Sequence, residues 1–201
     1  MLFRLTAPSD NEARRFISKQ KDSSFSYPEV GASATPEVGA SATTTPVGYN
    51  IDHNRIQLGR GQVTWQRAAE AIRAWKMFSI PWVKLYFPNA PIVVGTDVAV
   101  SVHHFGFWSL NASRIAYVVD EERPLKLFGF AYGTLAEHAE SGEERFTIEW
   151  NHTNDEVCYD IFAFSRPRQI FAKLGYPLSR LLQKRFAEDS KAGMLQAARD
   201  R

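Results

Sequence analysis

The chain has 201 residues, 44% of them hydrophobic, and a formal net charge of +2. That length supports one good core and, by default, one domain, while the charge is too small to argue for nucleic acid or an anionic membrane as a partner. Cys158 is the only cysteine, which excludes a disulfide framework and a cysteine-based zinc site.

The run Met1 to Thr6 is too short and too little apolar for a signal peptide. No window approaches the roughly 18 apolar residues of a membrane span, so a soluble, cytoplasmic protein is expected. Ser9 and Glu12 have capping-box spacing, and predict a short helix over 10–20 with Ala13, Phe16 and Ile17 on one face. Then Pro28-Glu-Val-Gly-Ala-Ser-Ala-Thr35 is repeated without change as Pro36 to Thr43. Two copies of eight residues are too few for a solenoid. Their composition reads as a flexible loop lengthened by a tandem duplication. Residues 1–50 are thus expected as a helix and loop, and 51–201 as a single domain.

Ile56 to Leu58 reads as a short strand and Gly59-Arg60-Gly61 as a turn. Thr64 can cap a helix whose Trp65, Ala68, Ala69, Ile72 and Trp75 share a face. The glycine pair is not a dinucleotide fingerprint, because Thr64 stands where a third glycine belongs. Residues 79–91 carry three prolines and read as irregular structure or a short edge strand. Strands follow at 96–105, 114–120, 128–135, 143–150 and 157–164. No helical pattern interrupts them, so the sheet is expected to be antiparallel. After Pro167, Ile170, Phe171 and Leu174 make a short helical stripe. From Pro177 a long amphipathic helix carries Leu178, Leu181, Leu182, Phe186 and Met194. The predicted class is α+β, a curved antiparallel sheet gripping a long C-terminal helix.

The hairpin from Gly129 to Phe146 concentrates the candidate chemistry. Phe128, Phe130, Tyr132 and Thr134 share one face of its first strand, while Gly129, Ala131 and Gly133 leave room for close approach on the other. His138 lies in its loop, and Glu143 and Glu144 open the second strand. A His–carboxylate pair could do acid–base work; the plain alternative is a hydrogen bond that fastens the hairpin. Alternation sends the two glutamates to opposite faces. Glu144 shares the apolar face of Phe146, Ile148 and Trp150, so it is expected to be the buried, partnered one and Glu143 the more exposed. Arg166 is among the candidate partners. His and carboxylates also suit several divalent ions, but a three-ligand set would need His103 or His104 to approach, and neither a metal ion nor another cofactor is expected. His104 sits with Val98, Val100 and Val102, either as a satisfied core histidine or as a polar group lining a cavity.

The order strand, helix, antiparallel strands, long helix resembles the helix-grip fold of the START and Bet v 1 superfamily. Shorter motifs resemble the uncharacterised protein family 0548. They are Tyr27-Pro28-Glu29-Val30-Gly31-Ala32, Leu58-Gly59-Arg60-Gly61, Gly133-Thr134-Leu135 with His138 and Gly142-Glu143-Glu144-Arg145-Phe146, and Phe164-Ser165-Arg166-Pro167. The likeness runs from Tyr27 to the last helix; the duplicated octapeptide departs from it. It implies the fold and no catalytic residue. The expected function is binding of a small apolar or amphipathic molecule between sheet and last helix, with Tyr132, Thr134, His104, Phe130 and Arg166 as contacts. The competing readings are an enzyme using His138 with Glu143 or Glu144, and a protein-interaction domain with a filled core.

Overall fold

The computed structural model describes residues 2–34, 46–122, 125–168 and 176–199. The second octapeptide and the stripe at Ile170, Phe171 and Leu174 lie outside the described residues. Strand β1 spans Leu2–Arg4 and helix α1 Asp10–Ser18. The capping box forms as read: the Ser9 hydroxyl accepts from the Glu12 amide, and the Glu12 carboxylate accepts from the Ser9 amide at 2.8 Å. Strand β2, Asn50–Arg60, is far longer than the three residues expected. Asp52, His53, Asn54 and Arg55 hide it from a hydrophobic-periodicity reading. Such polar residues are in place on a strand at the edge of a sheet.

Helix α2 spans Gly61–Arg73 and begins before Thr64. Thr64 therefore does not cap it; its hydroxyl donates back to the Arg60 carbonyl at 2.7 Å, inside the first turn. Trp75, in left-handed conformation at φ 54°, ends the run and leads into a 3-10 turn at Lys76–Phe78. The remaining strands are β3 (Val83–Tyr86), β4 (Asp97–His104), β5 (Phe107–Glu121), β6 (Lys126–Thr134), β7 (Glu140–Asn151) and β8 (Glu156–Pro167). Helix α3 covers Tyr176–Arg199.

Seven strands form one row, β2-β8-β7-β6-β5-β4-β3, and β1 adds to β5 beyond the reach of β6. Every pairing among the described residues is antiparallel. Register shifts in β5 between Ile115 and Tyr117, and in β2 between Gln57 and Gly59, bend those strands. The inner face meets α2, the 3-10 turn and α3 in one core that includes Ile72, Trp75, Met77, Phe130, Phe146, Tyr159 and Met194. The outer face is covered as well. Under α1, Ala13 joins Tyr86, Ala99 and Leu110 in a second, smaller cluster.

Residues 25–34 continue that outer cover across the middle strands as a strap. Phe25 bridges to Leu135, and the Ser26 amide donates to the Thr134 carbonyl at 2.9 Å. Gly133 admits it: a Cβ there would meet the Tyr27 hydroxyl at 2.0 Å. The room left by this glycine thus serves the chain's own tyrosine. The strap uses the first octapeptide, and removing either copy leaves the same sequence, with Tyr27 joined to one complete octapeptide. A chain shortened by Pro36 to Thr43 should melt at nearly the parent temperature, because loop length enters closure entropy only logarithmically. A drop of many degrees in a thermal scan would contradict this.

Candidate functional site

Between the inner face and α3 the core is not filled. A cavity of about 310 Å³ remains there. Its apolar wall includes Val100 and Val102 of β4, Ile161 of β8, Phe78 of the 3-10 turn, and Leu182 and Phe186 of α3. Its polar groups include Thr134, His138, Glu140 and Glu144 from the end where β6 passes into β7, with Asn111, Asp52 and His104 from other strands.

The alternation of β7 sends Glu144 inward, as read, and its carboxylate accepts from the Tyr132 hydroxyl at 2.7 Å. Burial pushes this carboxyl up to about 7, against the lowering effect of the tyrosine bond. Glu144 is half-buried, and it lines the cavity. Glu140 lies on the same wall and is pushed up to about 7 by burial; Arg180 pulls it down and Asp52 pushes it up. No hydrogen bond to the Glu140 carboxylate forms among the described residues; its backbone amide donates to His138 Nδ1 at 3.0 Å. Burial pushes His138 down to about 4, so its ring is neutral at ordinary pH. His104 is lowered by burial and by neighbouring His103. Asp52 is held by both terminal nitrogens of Arg180, one of them at 2.6 Å.

Glu143 overturns its expectation. It is 2% exposed, whereas Glu144 is half-buried. The strap provides the reason, because it closes over the outer face to which Glu143 points. One carboxylate oxygen accepts from the Tyr27 hydroxyl at 2.6 Å and the Gly31 amide at 2.9 Å. The other accepts from the Ser33 amide at 3.0 Å and the Ser33 hydroxyl at 2.5 Å. Beside it, buried Arg145 donates to the Ser33 carbonyl at 2.8 Å and to Asp160 at 2.7 Å. The His–carboxylate pair is therefore not formed: Glu143 serves the strap, Glu144 serves Tyr132, and His138 accepts from backbone.

Of the expected ligand contacts, Tyr132, Thr134 and His104 line the cavity. Phe130 does not. It is fully buried in the packed core, 4.8 Å from the Trp75 ring centroid, because α2 and its end cover that part of the sheet. Arg166 is exposed and lies over the Tyr49 ring at 4.5 Å, on the outer-face alternation of Phe164. Glu140, Asp52, Asn111 and Phe78 were missed. Among the described residues no group of three His, Cys, Asp or Glu is arranged to hold a metal ion, and no helix is long and apolar enough to cross a membrane.

A curved antiparallel sheet with a long C-terminal helix against its inner face is a helix-grip fold of the START and Bet v 1 type, here with a cavity between sheet and helix. A family model described as "Domain of unknown function (DUF1990)" matches residues 26–192, and the chain belongs to that family. It is 36% identical over 207 residues to a "UPF0548 protein" of Dictyostelium discoideum, covering 98% of this chain and 95% of the relative. A "UPF0548 protein" of Deinococcus radiodurans is 31% identical over 208 residues, covering 98% and 99%. The resemblance carried by the motifs is thereby borne out. Among solved structures, a hypothetical protein from Helicobacter pylori superposes with a TM-score of 0.51 at 11% identity, over 75% of this chain and 88% of that one, a likeness of fold alone.

Proposed function

We propose that this protein binds a small apolar or amphipathic molecule in the cavity between the sheet and α3. The observation that carries the reading is the cavity itself. At about 310 Å³ it reaches the lower end of the range for ligand pockets, and its apolar walls hold a few convergent polar groups. A domain that only presented a surface to other proteins would gain stability by filling such a space. Tyr132, Thr134 and His104 are the wall contacts retained from the sequence. The reading of acid–base catalysis by His138 with Glu143 or Glu144 has less support, since neither carboxylate is bonded to the imidazole.

Native mass spectrometry of the purified protein tests the proposal. A non-covalent adduct of a small molecule is expected, or, from stripped protein, uptake of decanol. Leu182→Trp and Val102→Trp fill the cavity from opposite walls, and both should abolish the adduct while the circular dichroism spectrum stays that of the parent. Retention of the adduct by both folded variants, or failure of stripped parent protein to take up decanol, would overturn the reading.

A further inference from the structure

We infer that the cavity selects molecules with a basic nitrogen, placing an ammonium group against Glu144 within a set of aromatic rings. The inference rests on the ligand-binding reading and narrows its chemical class.

The charges of the wall do not balance. Asp52 is matched by Arg180. Glu140 and Glu144 have no cation bonded to them among the described residues, and the two imidazoles on the wall, His104 and His138, are both shifted toward the neutral form. The ionised form of a buried carboxyl without a positive partner is costly, and a bound cation removes that cost. A carboxylate ligand would add a further negative charge to the same space.

The rings supply a second, independent observation. Tyr132, Phe78 and Phe186 all line the cavity. The centroid of Phe78 lies 6.1 Å from that of Tyr132 and 5.5 Å from that of Phe186. Tyr132 is joined to Glu144 through its hydroxyl, so the ring set and the carboxylate are one unit. One carboxylate oxygen accepts the hydrogen bond from the Tyr132 hydroxyl and the other accepts no hydrogen bond among the described residues. A cation beside ring faces gains the attraction of their quadrupoles, and more when water is excluded. A charge-assisted hydrogen bond to the carboxylate adds to it. The titratable and charged groups that line the cavity or act on its carboxyls are Asp52 from β2, His104 from β4, Tyr132 from β6, Tyr159 from β8, His138 and Glu140 near the start of β7, Glu143, whose carboxylate is turned to the strap, and Arg180 from α3. Arg180 is occupied by Asp52, which leaves Glu144 to the ligand.

Three probes with one tail decide the matter: decylamine, decanol and decanoate, titrated by calorimetry into stripped protein. Decylamine should bind at least about tenfold tighter than decanol, and decanoate weaker than either. Near neutral pH, decylamine binding should release protons, because the ammonium favours the ionised carboxylate; the heat will then depend on the buffer. Glu144→Gln should bring decylamine to the level of decanol and end the proton release, costing decylamine far more than decanol. Equal binding of the three probes would overturn the inference while leaving the cavity reading intact. So would an equal loss of all three in Glu144→Gln, which would mark Glu144 as structural. Absence of binding by every probe would overturn both.

Discussion

Replacing Glu143 by alanine should unfold this protein more readily than any change on the cavity wall. The carboxylate is buried and accepts four hydrogen bonds from Tyr27, Gly31 and Ser33. Its removal leaves two backbone amides and a tyrosine hydroxyl with no acceptor, under a strap that keeps water out. Each such orphan costs about 1–3 kcal/mol, so a total loss of at least about 3 kcal/mol is expected. Glu144→Ala strands only the Tyr132 hydroxyl and removes a carboxyl that burial already disfavours. Its effect should be small, or even stabilising above neutral pH. Urea melts of the two variants check the order. Equal midpoints would mean that the strap contributes little to the fold.

The second large effect is pH dependence. Glu140 and Glu144 have folded pKa values raised to about 7. Their favourable contribution is complete below the unfolded value near 4.5 and is lost as pH rises through 7. His138 acts in the opposite sense. Its pKa is depressed to about 4, so its contribution is complete above its unfolded value near 6.5 and is lost as pH falls toward 4. In Glu140→Gln/Glu144→Gln only the second trend remains from these three groups. Relative to the parent, the double variant should therefore gain stability between about pH 4 and about pH 8. The gain is at most about 3 kcal/mol per carboxyl, reduced by any water in the cavity that screens the charge. Denaturant melts of both proteins at the two ends of that range measure it, and a difference independent of pH would refute the assignment. Comparing the two chains cancels the titration of groups that do not interact with these two carboxyls.

The strand alternation around the hairpin was legible, and it placed Glu143 and Glu144 on opposite faces. The face that would be dry was not. A run of apolar residues on one side of a strand points to one core, and here the other side is sealed by Tyr27, Gly31 and Ser33, more than a hundred residues earlier. No local pattern carries that pairing. Strand β2 escaped for a related reason: its inward Asp52 and Asn54 face a cavity instead of packed side chains, so the apolar half of the alternation is missing. Glu140 escaped because β7 starts at Glu140, three residues before the expected Glu143. Phe78 and Phe186 belong to a 3-10 turn and a helix, and only the closing of α3 over the sheet brings their rings together. The antiparallel order and the long last helix were legible, since each rests on contiguous periodicity.

The place of β2 in the sheet also bears on how the chain assembles during synthesis. Its partner in the strand row is β8, and Asn50 and Ser165 stand opposite each other although they are 115 residues apart in sequence. The meander β4 to β7 can zip up from neighbouring hairpins as it leaves the ribosome. Strand β2 must wait unpaired, with α2 behind it, until β8 has emerged, and α3 then docks on both. Pairings of such high sequence separation place folding toward the millisecond-to-second end of the range for small domains. Mutations in the β2–β8 ladder should slow refolding if the ladder is already formed in the transition state, and chiefly speed unfolding if it forms later. The polar sequence of β2 protects this long-exposed edge from pairing with other nascent chains while it waits.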